Sequence, residues 1–163
     1  MPSTGVNSLD RGVEKATAWL ADIDAGFGTS DRQLAYRVLR AWLHCLRDRL
    51  TVEVAAHFAA QLPELLRGVF FDGWNPSRVP RKYDRAEYIT RFAREARVRD
   101  SDVVKAARIV TAVARRHMSA ELVAQAFGLL PAELRELLES PAAGSSAGGG
   151  AGLNACSRDP RHL

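Results

Sequence analysis

The sequence predicts an all-α domain in which one helical unit occurs twice. Three observations carry this reading. Apolar residues recur at steps of three and four almost throughout the chain, and no stretch between turn signals alternates with the strand period of two. Residues 32–70 also lie over 100–138 without a gap at an offset of 68. The composition agrees, with 163 residues, 47% hydrophobic and 26% charged, enough chain to bury a core. Neither a signal peptide nor a spanning helix is expected. Met1–Ser8 holds no basic stretch leading into an apolar run, and the longest charge-free interval, Ser140–Ser157, is rich in Gly, Ala and Ser. Two cysteines, Cys45 and Cys156, are too few for a disulfide framework or a zinc site, which points to a reduced cytoplasmic protein. Lysine occurs only at Lys15, Lys82 and Lys105 against abundant arginine and alanine, a usage expected of a GC-rich bacterial genome.

The elements follow in order. Leu9, Val13, Ala16, Leu20 and Ile23 form one apolar stripe of a first helix, which Gly26 and Gly28 end. Thr29, Ser30 or Asp31 caps a second helix with Ala35, Val38, Leu39, Trp42, Leu46 and Leu50 on one face. Thr51 begins a third helix carrying Val54, Ala55, Phe58 and Leu62, and Pro63 suits the first turn of a short fourth. Residues 73–83, with two prolines, a glycine and an asparagine, form a connector. Asp84 and Glu87 make a capping pair before Tyr88, Ile89, Phe92 and Ala96. Asp100, Ser101 or Asp102 starts the next helix, with Val103, Ala107, Val110 and Ala114 inward. Ser119 caps one carrying Leu122, Val123 and Ala126, and Pro131 opens the last. The reading is thus one domain over 8–140, with a first repeat at about 8–72 and a second at about 84–140. The remaining 141–163 is expected to be a disordered tail, because it has too little apolar surface to offset its ordering entropy.

The repeat rests on eight identities in 39 aligned positions, among them Arg40, Arg47, Leu62, Pro63, Leu66 and Arg67 against Arg108, Arg115, Leu130, Pro131, Leu134 and Arg135. The run RVLRAWLHCLRDRLTVEVAAHFAAQLPELLRGVFFDGW, together with YITRFAREARV and SAELVAQAFGLLPAELRELL, resembles family 2267 of the bacterial domains of unknown function. The resemblance covers roughly residues 9–138, and its most specific parts are AAQLPELLRG and the aromatic-Asp-Gly-Trp after it. It implies a duplicated bacterial helical fold and implies no catalytic residues, cofactor or metal.

Little in the sequence offers chemistry. Among His44, His57, His117 and His162, His44 has a carboxylate at helical spacing, Asp48, and two ligands do not make a metal site. Cys45 lies beside the apolar stripe of the second helix and reads as a buried thiol, and Ser30, Ser101 and Ser119 read as caps. No Gly-rich phosphate loop follows a strand. No enzyme is therefore expected. Arg67 and Arg135 stand at matching positions, where they either pair to bind an anion or bond helix-terminal carbonyls. The first 72 residues carry a net −1 and residues 73–140 a net +4, and eight of those basic residues fall in 78–99. Trp74, Arg78, Arg81, Lys82 and Arg85 therefore form the candidate partner site, extended by Arg91 and Arg94 along the exposed face of the following helix. An acidic protein partner is the leading expectation. Nucleic acid on the basic second half is the alternative, a small-ligand or enzyme site between the repeats is a third, and scaffolding alone is the plainest.

Overall fold

Four helices begin where the chain supplies a short polar side chain that can accept from the orphan amides of the first turn. Asp31, Thr51, Asp84 and Ser119 each accept a hydrogen bond from the N–H three residues on, of Leu34, Val54, Glu87 and Leu122. The computed structural model describes residues 3–139, so the 141–163 tail, with Cys156 and His162, lies outside the described residues. Those residues form eight α-helices and no strand: α1 Asn7–Phe27, α2 Arg32–Arg47, α3 Val52–Ala60, α4 Glu64–Phe71, α5 Arg85–Ala96, α6 Val103–His117, α7 Ala120–Gly128 and α8 Ala132–Leu138. Short 3-10 turns occupy Pro76–Arg78 in the connector and Asp100–Asp102 before α6. Pro63 and Pro131 stand just ahead of α4 and α8, where a missing N–H costs nothing. None of the described helices is long and apolar enough to cross a membrane.

α2 is the central element. Every residue from Ala41 to Asp48 is buried, and the helix packs against α1, α4, α5 and α6. α1 lies on α6, and α3 on α7. Trp42, 1% exposed, sits between Phe58 and Phe127 with ring centroids 6.2 and 6.5 Å away, and its Nε1 donates to Thr111 Oγ1 at 3.1 Å. The buried apolar residues of both expected halves belong to one cluster.

The offset of 68 reappears in the helix bounds, since adding it to Val52–Ala60 gives Ala120–Gly128, and adding it to the start of α4 gives the start of α8. Leu66 and Leu134 are both buried, at 2% and 1% exposure. The matched arginines do different work. Arg47 bonds carbonyl oxygens at the end of α4 while Arg115 pairs with Glu139. Arg40 pairs with Asp72 and Glu95 while Arg108 bonds the carbonyl oxygens of Glu136 and Leu137.

Two expectations for α1 need correction. Leu9 and Val13 are exposed, and the buried stripe is Gly12, Ala16, Trp19 and Ile23. The neighbouring stripe wins because it contains Trp19, whose burial removes more apolar surface from water than Leu9 and Val13 could near a free helix end. Only Gly28 ends the helix, at φ 69°, where it donates to Ala25 and Asp24 carbonyls. Gly26 lies inside the last turn, and a Cβ there would meet Ile109 Cγ2 at 2.6 Å, so it permits the close approach of α1 and α6.

Candidate functional site

The connector is fastened to the end of α2 from beneath. Arg47 and Asp48, 5% and 6% exposed, pair there, with Arg47 Nε donating to Asp48 Oδ1 at 2.9 Å. Arg47 Nη1 donates to the carbonyl oxygens of Phe70 and Asp72 at 2.9 and 2.7 Å, which caps the end of α4. Arg91 Nη2 donates to Asp48 Oδ2 at 2.7 Å, so one buried carboxylate holds two guanidinium groups. The backbone joins in as well. Arg81 N–H donates to Asp48 O at 2.6 Å, Arg49 Nη1 donates to Arg81 O at 3.1 Å, and the Tyr83 hydroxyl donates to Cys45 O. Arg49 and Arg91 also lie on the Tyr83 ring, 5.2 and 4.8 Å from its centroid. Gly73, at φ 71°, lets the chain turn out of α4 into this connector.

A second set of charges continues the network along α2 and α5. His44 Nδ1 contacts Glu95 Oε1, and its Nε2 donates to Val69 O at 2.6 Å. Arg40 reaches the same Glu95 oxygen at 3.3 Å and Asp72 Oδ2 at 2.6 Å. The Arg40 hydrogen bond holds the Asp72 carboxyl below its ordinary range.

The sequence-predicted residues divide sharply. Arg78, Arg81, Lys82 and Arg94 are exposed, and their side chains make no ion pair among the described residues. Arg85 is exposed too, but shares a shallow groove with Asp84 and Glu133. Arg91 departs from expectation. It is not on an open face, because it follows Tyr88 by three residues and so borders the buried stripe, and its long stem carries the charge inward to Asp48. Trp74 is half-buried against the core, 5.0 Å from Phe71, with its Nε1 sealed from solvent and unpaired. It is an anchor.

Arg67 and Arg135 are not brought together. Arg67 donates to the carbonyl oxygens of Ala59, Ala60 and Leu62 at the end of α3, whereas Arg135 is exposed in a different cleft with Arg115 and Glu139. Of the alternatives for Arg67, carbonyl capping is what the geometry shows. Sequence reasoning named Arg47 only as a repeat identity and Asp48 only as a carboxylate spaced from His44, and it missed their buried pair. The available signal was the Arg47 identity with Arg115 and a charged pair at the end of the most apolar helix.

Two cavities accompany these groups. One of about 270 Å³ is lined by Arg47, Asp48, Gly73, Asn75, Arg78 and Arg81 at the connector. A wider cleft of about 560 Å³ lies between α1 and the α3–α4 turn, with Arg11, Lys15, Trp19, Gln61, Arg67 and His117 in its wall. His117 stacks on Trp19 at 5.0 Å and meets Asp22 Oδ2 at 2.7 Å. No three of His, Cys, Asp and Glu converge on a metal-sized site among the described residues. Burial pushes the Cys45 thiol up to about 12. The folded protein is therefore expected to protect Cys45 from iodoacetamide at mildly alkaline pH, and denaturant should release it. Peptide mapping that finds Cys45 alkylated in the native state would contradict this burial.

A family model described as "Uncharacterized conserved protein" matches residues 16–137. No curated protein matches the chain.

Proposed function

The chain belongs to the DUF2267 family, and we propose that it is a non-enzymatic bacterial interaction module, cytoplasmic in location, that docks an acidic protein segment on its connector. One observation carries this reading. The connector is bonded to the end of α2 through the Arg81 backbone, to Asp48 O and the Arg49 guanidinium, and through the Tyr83 hydroxyl, to Cys45 O, while the side chains of Arg78, Arg81 and Lys82 project unpaired into solvent. A held backbone lowers the entropy lost on binding, and unpaired guanidinium groups lose no internal partner when an acidic surface arrives. Three of the four buried side-chain atoms that lack a partner among the described residues, Arg49 Nε, Trp74 Nε1 and Arg91 Nη1, belong to this same region. The duplication enters the reading as the origin of the scaffold: a four-helix unit copied once, with the connector joining the copies.

Reversing Arg78, Arg81 and Lys82 to glutamate is expected to abolish binding of an Asp/Glu-rich peptide and to leave circular dichroism and melting unchanged. Wild-type affinity in that triple variant would reduce the connector to scaffolding. A single-stranded oligonucleotide with a steep salt slope, against a shallow one for the peptide, would instead favour nucleic acid.

The 560 Å³ cleft supports a second reading, a small anionic ligand held by the first half beside His117, because Arg11, Lys15 and Arg67 share it with the Trp19–His117 stack. Thermal shift against a panel of phosphorylated and carboxylated metabolites tests it. A rise that vanishes in the Arg11→Gln/Lys15→Gln variant supports the cleft, and no rise with any compound removes it.

A further inference from the structure

The 270 Å³ cavity at the connector contains one arginine unlike the others. Arg47 is 5% exposed, and its Nε and Nη1 are committed to Asp48, Phe70 and Asp72. Its Nη2 makes no hydrogen bond among the described residues, yet it is not one of the atoms sealed from solvent without a partner. Arg47 lines the cavity, and Nη2 is the nitrogen it has left to offer there. Across the same space stand the unpaired side chains of Arg78 and Arg81. The single carboxylate in the wall, Asp48, is already bonded by Arg47 and by Arg91.

We propose that this cavity binds a phosphoryl group, and that the docked acidic segment presents it as a phosphorylated serine or threonine. This rests on the docking reading above and specifies its chemistry. Three guanidinium groups around one neutralised carboxylate leave an excess positive charge that a single carboxylate does not match, whereas a phosphate monoester near neutral pH carries close to two negative charges and three acceptor oxygens. Planar guanidinium forks meet those oxygens in pairs. Arg47 is held in place before the ligand arrives, because both of its other nitrogens are bonded, so little side-chain entropy is lost on its account. The exposed Arg78 and Arg81 then close over the group.

The test compares two peptides of equal net charge, one acidic sequence with a central phosphoserine and one with Glu-Glu in its place, together with inorganic phosphate. Binding is followed by calorimetry and by amide shifts of Gly73, Asn75, Val79 and Arg81. The phosphoserine peptide is expected to bind about tenfold more tightly than its charge-matched partner. That preference should disappear in Arg78→Gln/Arg81→Gln and persist in Lys82→Gln/Arg85→Gln, whose side chains lie outside the cavity. Equal binding of the two peptides overturns the phosphoryl site and leaves docking intact. A preference that survives Arg78→Gln/Arg81→Gln also overturns it, because the group would then sit elsewhere. Phosphate-induced shifts at the cavity with neither peptide bound support the site, identify free phosphate as its ligand and overturn the docking reading. No response to any of the three probes overturns both.

Discussion

Asp48→Ala is expected to destabilise the protein by about 3–5 kcal/mol, the cost of removing one partner from a buried ion pair and leaving its charge uncompensated. Arg47 and Asp48 have side chains 6% and 8% exposed, so solvent replaces little of what is lost. Two guanidinium groups are affected at once, those of Arg47 and Arg91. Arg91→Ala should cost clearly less, since that side chain is 24% exposed and its removal leaves Asp48 still bonded to Arg47. The main-chain bond from Arg81 N–H to Asp48 O does not depend on the carboxylate, and it should survive in both variants. Urea midpoints at constant slope measure the difference. A loss below about 1 kcal/mol in Asp48→Ala would place the pair among solvated surface contacts and remove the buried clamp under the connector.

How much of this was legible can be judged from particular residues. Caps were legible in part because they depend on a few consecutive residues: Thr51, Asp84 and Ser119 each bond the amide that their spacing dictates, Asp31 does so in place of Thr29 or Ser30, and Ser101 caps no helix. The stripe of α2 was legible too, since Ala35, Val38, Leu39, Trp42 and Leu46 are all buried. The orientation of α1 was not. Two overlapping stripes share Ala16 and Ile23, and spacing alone does not weigh the larger surface of Trp19 against Leu9 and Val13. The connector's clamp was hidden for a related reason. Helical spacing marks Arg47 and Asp48 as the polar end of an amphipathic helix, and nothing local says that α4, α5 and the connector will cover that end. The same tertiary cover turns Arg91 inward, while Arg78, Arg81 and Lys82 stay outside as their composition suggested. Buried charge is set by contacts distant in sequence, so periodicity alone assigns it to the surface.

Trp42→Ala is expected to have an effect as large as the loss of Asp48, about 3–5 kcal/mol, from lost transfer energy and the cavity left behind. Its ring touches Phe58 on one side and Phe127 on the other, so it joins α2 and α3 to α7 rather than filling one unit. Trp42→Phe isolates the polar part of its role. That variant loses the Nε1 bond to Thr111 Oγ1, but the threonine hydroxyl keeps its own bond to Ala107 O at 2.8 Å and is not orphaned. Its cost should therefore fall well short of the alanine variant's. The form of the transition is as informative as its midpoint. Helices from both halves share one buried cluster, so unfolding should remain a single cooperative step in every variant, with far-ultraviolet dichroism and the fluorescence of the remaining tryptophans changing together. Two separated transitions in Trp42→Ala would mean that the halves hold themselves together independently, with Trp42 joining them only as neighbours.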